Sequence, residues 1–332
     1  MISLVSRTLA SGALLMALLA TSATAQDGPI REAIRDRIAE RRAERQAGGS
    51  PSASGLELIT IQHQGSQRSY YIDPATVSAG RGVVMVFHGG EGDGRNAQES
   101  ALLSRFAGSY GFAAVYPNSP GQQWNDGRAT TRSSFDDVGY TRAVAADLRA
   151  RFGLDTGRMF AAGVSNGGMF TQRLACEAPD LFRGYGVVVA NMPADLASRC
   201  APGQAQPMIF FQATDDRLMP WQGGEIANIA ILGIGTGGRV LSAIETQEFW
   251  IRVNNCGGGS GGSVRDDAND GTKAQLITYN CAGGAALRFW VLEGAGHNWP
   301  GGTRGGGRIA GNISREVAAT DAMLSFFARY GL

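Results

Sequence analysis

At 332 residues the chain can hold one large α/β domain or two small ones. A formal net charge of +1 leaves no global field to recruit nucleic acid or an anionic membrane surface. The 48 glycines are in excess, concentrated in loops such as Gly257-Gly258-Gly259-Ser260-Gly261-Gly262, which suits a protein whose function is built on loops over a rigid sheet.

The first residues read as a targeting segment. Arg7 supplies the positive end, residues 13–20 are a short apolar core, and Ala23-Thr24-Ala25 is a small-residue cleavage site, which predicts a signal peptide over 1–25 and a mature start at Gln26. The apolar run is too short to span a bilayer, so no membrane span is expected. Residues 26–55 form a charged stretch with little apolar face, followed by a Gly/Ser/Pro/Ala linker, and read as a solvated spacer. Export implies an oxidising compartment, extracellular or periplasmic, in which Cys176, Cys200, Cys256 and Cys281 form two disulfides. Four cysteines allow three pairings, and local closure favours Cys176 with Cys200 and Cys256 with Cys281. No CxxC is present and no histidine lies near a cysteine, so no metal site is expected.

The folded domain is expected over 56–332. Residues 56–61 and 68–72 predict a β-hairpin turning at Gln64-Gly65-Ser66. The continuous apolar run 82–87 predicts a strand buried on both faces, and 112–116 predicts the next. A helix is expected from about Asp136 to Phe152, with Val138, Val144, Leu148 and Phe152 near helical spacing. Further buried strands are expected at 159–162, 186–190, 208–212 and 287–292, with helices at 242–253 and 316–330. Strand alternating with helix means an α/β fold with a mainly parallel, doubly wound sheet and helices on both faces.

Gly163-Val164-Ser165-Asn166-Gly167 lies between the apolar strand 159–162 and a helical pattern over 169–178. That setting reads as a nucleophile elbow, the turn that holds a serine hydroxyl out above a sheet. A serine needs a base, an orienting acid and an oxyanion hole. His297, in Gly294-Ala295-Gly296-His297-Asn298, follows the last apolar strand, where the base of such a fold belongs. The loop after 208–212 offers Asp215 and Asp216 as the acid, and spacing does not separate them. His88-Gly89-Gly90 ends the strand 82–87, so an amide of Gly89 or Gly90, with that of Asn166, would line the oxyanion hole. His88 itself reads as structural and His63 as a solvent-facing strand residue. Asp136-Asp137 reads as a helix N-cap. Trp124, in Trp124-Asn125-Asp126, and Trp299 are candidate walls of a substrate cleft, although tryptophan is also common in cores.

Six motifs in order carry a family resemblance over residues 56–332. They are Val86-Phe87-His88-Gly89-Gly90; Asp136-Asp137-Val138-Gly139-Tyr140; Gly163-Val164-Ser165-Asn166-Gly167-Gly168-Met169; Thr214-Asp215-Asp216-Arg217-Leu218-Met219-Pro220 with Gly223-Gly224; Trp250 followed by Asn255-Cys256; and Gly296-His297-Asn298-Trp299-Pro300-Gly301-Gly302. The chain resembles the secreted polyhydroxybutyrate depolymerase-like esterases, which are related to the feruloyl and acetylxylan esterases of carbohydrate esterase family one. The resemblance implies the α/β-hydrolase fold and a serine esterase with a Ser-His-Asp triad. It favours Asp216, four residues before Pro220, as the acid. It also implies no cofactor and, as partner, an ester substrate. Gln212-Ala213-Thr214 stands where the family often has His-Gly-Thr, a departure in one wall of the site. No separate polymer-binding domain is expected after the catalytic domain, which favours soluble hydroxyalkanoate oligoesters, or hydroxycinnamoyl and acetyl esters of plant polysaccharide, over insoluble polyester. A reading from another class is a non-catalytic binding protein on a hydrolase scaffold. The sequence carries no signal for oligomeric state.

Overall fold

The computed structural model describes residues 55–226, 237–303, 305 and 307–332. The chain divides into residues 1–50 and 51–332. The signal peptide expected at 1–25 and the spacer through residue 54 lie outside the described residues.

Twelve strands are described: β1 (Glu57–His63), β2 (Ser66–Ile72), β3 (Gly82–Phe87), β4 (Phe112–Pro117), β5 (Met159–Val164), β6 (Tyr185–Val188), β7 (Met208–Ala213), β8 (Gly224–Glu225), β9 (Arg239–Val240), β10 (Ser260–Gly261), β11 (Lys273–Asn280) and β12 (Ala286–Glu293). Ten of them form one sheet in the order β1-β2-β4-β3-β5-β6-β7-β12-β11-β10, and β8 pairs with β9 apart from it. The six central strands, β4 to β12 in that order, are parallel. The outer strands are antiparallel, with the β1–β2 hairpin on one edge and β11 and β10 on the other. The expected parallel sheet is therefore the centre of a mixed one.

Five described helices of eight or more residues pack on it: α1 (Gly94–Ala101), α2 (Asp137–Phe152), α3 (Asn166–Glu177), α4 (Ala243–Val253) and α5 (Ala319–Ala328). Every residue of β3 is buried, so its alternating side chains feed two cores. Val83, Met85 and Phe87 share one with Leu148 of α2, Phe170 and Leu174 of α3 and Trp250 of α4. Val84 and Val86 share the other with Ala97 and Ala101 of α1 and Met323, Phe326 and Phe327 of α5. Three of the five, α1, α2 and α4, begin at sequence-encoded caps. Asp136 accepts from the Gly139 amide at 2.8 Å, and Ser242 and Glu245 form a reciprocal capping box at the start of α4.

Both expected disulfides are present, Cys176 to Cys200 and Cys256 to Cys281. The order β4-β3-β5 means that the chain turns to opposite sides of β3. The crevice at the carboxyl ends of β3 and β5 is thus the topological switch point, where open α/β sheets place ligands.

Candidate active site

Ser165 follows β5 directly and precedes the first residue of α3. Its backbone has φ 55° and ψ −121°, a conformation that L-residues rarely adopt and that costs on the order of 1–3 kcal/mol. The turn is possible because the chain crosses itself closely here. A Cβ on Gly163 would lie 2.2 Å from the Gly167 carbonyl oxygen, and one on Gly167 would lie 2.2 Å from that of Phe87. The Ser165 amide donates to the Val188 carbonyl at 3.0 Å and its carbonyl accepts from Met169 at 2.9 Å, which holds the residue from both sides.

Phe87 is opposite Gly163 in the β3–β5 register, so the turn after β3 runs beside Ser165. A Cβ on Gly89 would lie 3.5 Å from the Ser165 Cβ. His88 is fully buried, and burial pulls its pKa down from 6.5 to about 4, so the ring is neutral at pH 7. Its Nδ1 is 2.8 Å from the Gly89 carbonyl oxygen, which only accepts, so Nδ1 carries the proton. Nε2 then accepts from the Ser119 amide at 3.2 Å. Both ring nitrogens are engaged within the fold.

His297 lies past the end of β12 and Asp216 past the end of β7. His297 Nδ1 is 2.6 Å from Asp216 Oδ2. A carboxylate offers acceptors only, so Nδ1 is protonated and Nε2 is left as the basic nitrogen. The other oxygen, Asp216 Oδ1, accepts from the amides of Leu218 and Met219 at 2.8 Å each. Asp215 is exposed and accepts instead from the Thr214 hydroxyl at 2.7 Å. The geometry therefore separates two aspartates that spacing leaves equivalent. Asn298 pins the loop after His297 by donating to the Ala310 carbonyl at 2.8 Å.

A cavity of about 230 Å³ opens on these groups; Ser165, His297, Gly89, Gly90 and Asn166 all line it. Ser165 stands at the positive end of α3, and the backbone N–H groups there and at Gly89-Gly90 suit a developing oxyanion. Among the described residues there is no group of three or more His, Cys, Asp or Glu able to hold a metal ion, and no helix is long and apolar enough to cross a membrane.

No family model matches the chain. It is 28% identical over 259 residues to a protein named as an esterase, NocK, of Nocardia uniformis subsp. tsuyamanensis, covering 74% of each chain. It is 24% identical over 179 residues to feruloyl esterase B of Piromyces equi, covering 53% of this chain and 31% of the relative, so it spans only part of that protein's length. The structure of the acetyl xylan esterase from Aspergillus awamori superposes with a TM-score of 0.54 at 16% identity, over 82% of this chain and 99% of the other, a likeness of fold. The chain has the α/β-hydrolase fold, and the relatives it is similar to in sequence carry the names of esterases.

In this fold the two tryptophans expected on the cleft are elsewhere. Trp124 is fully buried, stacked on Phe170 at 4.9 Å and edge-on to Phe87 at 5.2 Å. Trp299 is buried too, its indole donating to Thr320 at 3.0 Å. Each finds an interior partner for its N–H, which lets the whole side chain leave solvent. His63 is half-buried rather than solvent-facing, with Nε2 3.6 Å from Asp136. The cavity wall is made instead by Gln123, Arg128, Met169, Leu218, Met219 and Ile226. A signal existed for some of these. Met169 is one turn past Ser165 on α3, and Leu218 and Met219 share the loop of the acid. Arg128 and Gln123 lie in a loop with no periodic pattern to flag them.

Proposed function

We propose that the protein is an exported serine esterase that cleaves carboxylic esters through an acyl-enzyme. The observation that carries the reading is the 2.6 Å approach of His297 Nδ1 to Asp216, on a cavity that also meets Ser165 and the Gly89-Gly90 turn. His297 Nε2 takes the Ser165 proton as Oγ attacks the ester carbonyl. The amides of Asn166 and of Gly89 or Gly90 hold the resulting oxyanion. The C–O bond to the alcohol breaks, His297 returns the proton to the leaving alkoxide, and the acyl group stays on Ser165. Water, deprotonated by His297, then attacks the acyl-enzyme; the bond to Ser165 Oγ breaks, His297 returns the proton to Oγ, and the acid is released. Asp216 keeps the imidazole in the Nδ1–H tautomer throughout and stabilises its protonated form.

As substrate we propose hydroxyalkanoate oligoesters, in keeping with the family resemblance of the six motifs. The names of the relatives support a second reading, hydroxycinnamoyl or acetyl esters of plant polysaccharide. The mainly apolar wall of Met169, Leu218, Met219 and Ile226 accommodates a short aliphatic or an aromatic acyl group. The reading of residues 1–25 as a signal peptide and the two disulfides support export.

The test is hydrolysis of methyl ferulate, acetylated xylan fragments and a short 3-hydroxybutyrate oligomer, with Ser165→Ala as control. Oligomer cleavage alone supports the oligoester reading; release of ferulate or acetate alone supports the plant-wall reading. No serine-dependent turnover of any of them, together with no labelling of Ser165 by a fluorophosphonate, would favour a non-catalytic scaffold.

A further inference from the structure

Trp124-Asn125-Asp126 does not reach the cavity surface as a substrate wall, yet it is bonded to both halves of the oxyanion hole. The two halves come from separate segments, the turn after β3 and the turn after β5. The Trp124 indole N–H donates to the His88 carbonyl at 3.1 Å, on the first segment. The Trp124 backbone pairs with the Asn166 carboxamide on the second. Its N–H donates to Asn166 Oδ1 at 2.7 Å and its carbonyl accepts from Nδ2 at 3.0 Å. The remaining Nδ2 hydrogen goes to Asp126 Oδ2 at 2.7 Å, so the Asn166 amide group is held on three sides.

The far end of this brace is fixed as firmly. Asp126 is fully buried and also accepts from Arg128 Nη2 at 2.6 Å and from the Thr131 hydroxyl at 2.7 Å. The Asn125 amide donates to the buried Asp137 at 2.8 Å and its carbonyl accepts from Arg173 at 2.6 Å. On the β3 side the Gly89 carbonyl is pinned by His88 Nδ1 and by the Gly92 amide at 3.2 Å. The peptide bonds are trans, so pinning that carbonyl fixes the Gly90 N–H in the opposite direction.

An oxyanion hole depends on the spacing of its donors, because each must lie about 2.7–3.1 Å from the place where charge develops. We propose that Asp126 is a positioning residue of the oxyanion hole. It acts through the Asn166 carboxamide, in a brace that Trp124 closes onto His88, and so fixes the gap between the Asn166 and Gly89-Gly90 amides. This rests on the esterase reading above. It adds a role for a segment that touches no substrate.

The test uses an ester and its thionoester counterpart, p-nitrophenyl butyrate and p-nitrophenyl thionobutyrate, because sulfur is the poorer acceptor and draws less on the hole. Loss of one hole donor costs about 10²–10³ in kcat, so a displaced donor in Asn166→Ala or Asp126→Asn is expected to lower ester kcat by about 10–100-fold with KM nearly unchanged. The thionoester rate is expected to fall several-fold less. Affinity for butylboronic acid, whose tetrahedral adduct on Ser165 fills the hole, should fall with ester kcat, while affinity for butyrate holds. Asn166→Ala leaves Asp126 paired with Arg128, so it reports on the brace should Asp126→Asn fail to fold. Equal losses on both esters, or equal losses of boronate and butyrate affinity, would mean that the segment only supports the fold and would overturn the proposal. Unchanged ester turnover would overturn it too. Absence of Ser165-dependent turnover in the unaltered protein would instead defeat the esterase reading itself.

Discussion

Asp216 grips the loop it belongs to with one carboxylate oxygen and His297 with the other. Oδ1 takes the amides of Leu218 and Met219, and Oδ2 lies 2.6 Å from His297 Nδ1. Its neighbour Asp215 is turned outward onto Thr214. Asp216→Asn keeps the shape but permits the wrong imidazole tautomer, and is expected to lower kcat by about 10³–10⁴. Asp215→Asn is expected to stay within about threefold, as is usual for an exposed side chain that touches no reacting group. Initial rates on one chromogenic ester check both. Equal losses would exclude Asp216 as the sole orienting acid.

The backbone at Ser165 gives a stability prediction independent of turnover. Glycine adopts φ 55° without a Cβ penalty, whereas alanine keeps it. Ser165→Gly and Ser165→Ala should both be inactive, with the glycine variant more stable by about 1 kcal/mol despite its greater unfolded-chain entropy. Urea midpoints of the two proteins decide it, and a more stable alanine variant would mean that the turn is not strained.

His88 links stability to pH. Its pKa is drawn from 6.5 to about 4 by burial, so the folded chain refuses a proton that the unfolded chain accepts below about pH 6.5. Its stabilising share is complete above that pH and is lost as pH falls through the window to 4, a total of about 3 kcal/mol. His88→Asn should be less stable at pH 7 yet show a flatter decline in urea midpoint between pH 6.5 and 4. Parallel declines in the two proteins would show that other groups dominate the window.

Cys176 lies on α3, the helix that opens beside Ser165, and its disulfide closes a loop across a sequence separation of 24. Cys176→Ser with Cys200→Ser is expected to cost about 3 kcal/mol, as loop-closure entropy returns to the unfolded chain. The denaturation midpoint of this variant should match that of the protein with only this bridge reduced. No shift would mean that the helix is held by packing alone.

The parts of the fold and site visible in the sequence are those where local chemistry and position in the chain coincide. Gly163 and Gly167 announce a backbone crossing, and fully apolar strands such as β3 announce a sheet covered on both faces. His297 and Asp216 follow strands, so the fold itself predicts where they end up. Elements without an apolar stripe were invisible. Helix α1 buries only Gly94, Ala97 and Ala101, and its available signal was the Asp93 capping box. Strand β11 is largely half-buried along its length and its alternation is blurred by polar residues. The place of Trp124 is not legible in the sequence because its partners, His88 and Asn166, are 36 and 42 residues away, and only the folded chain makes them neighbours.

The Asp216 loop has a practical corollary for redesign. The amides that hold the Asp216 carboxylate belong to Leu218 and Met219, two residues that also line the cavity. These are backbone N–H groups, so any exchange except proline keeps them, but one that shifts the loop would move the proposed acid together with the wall. Met169, which projects from α3, and Ile226 offer the same wall without that entanglement. They are the positions at which a change of substrate preference should be sought first.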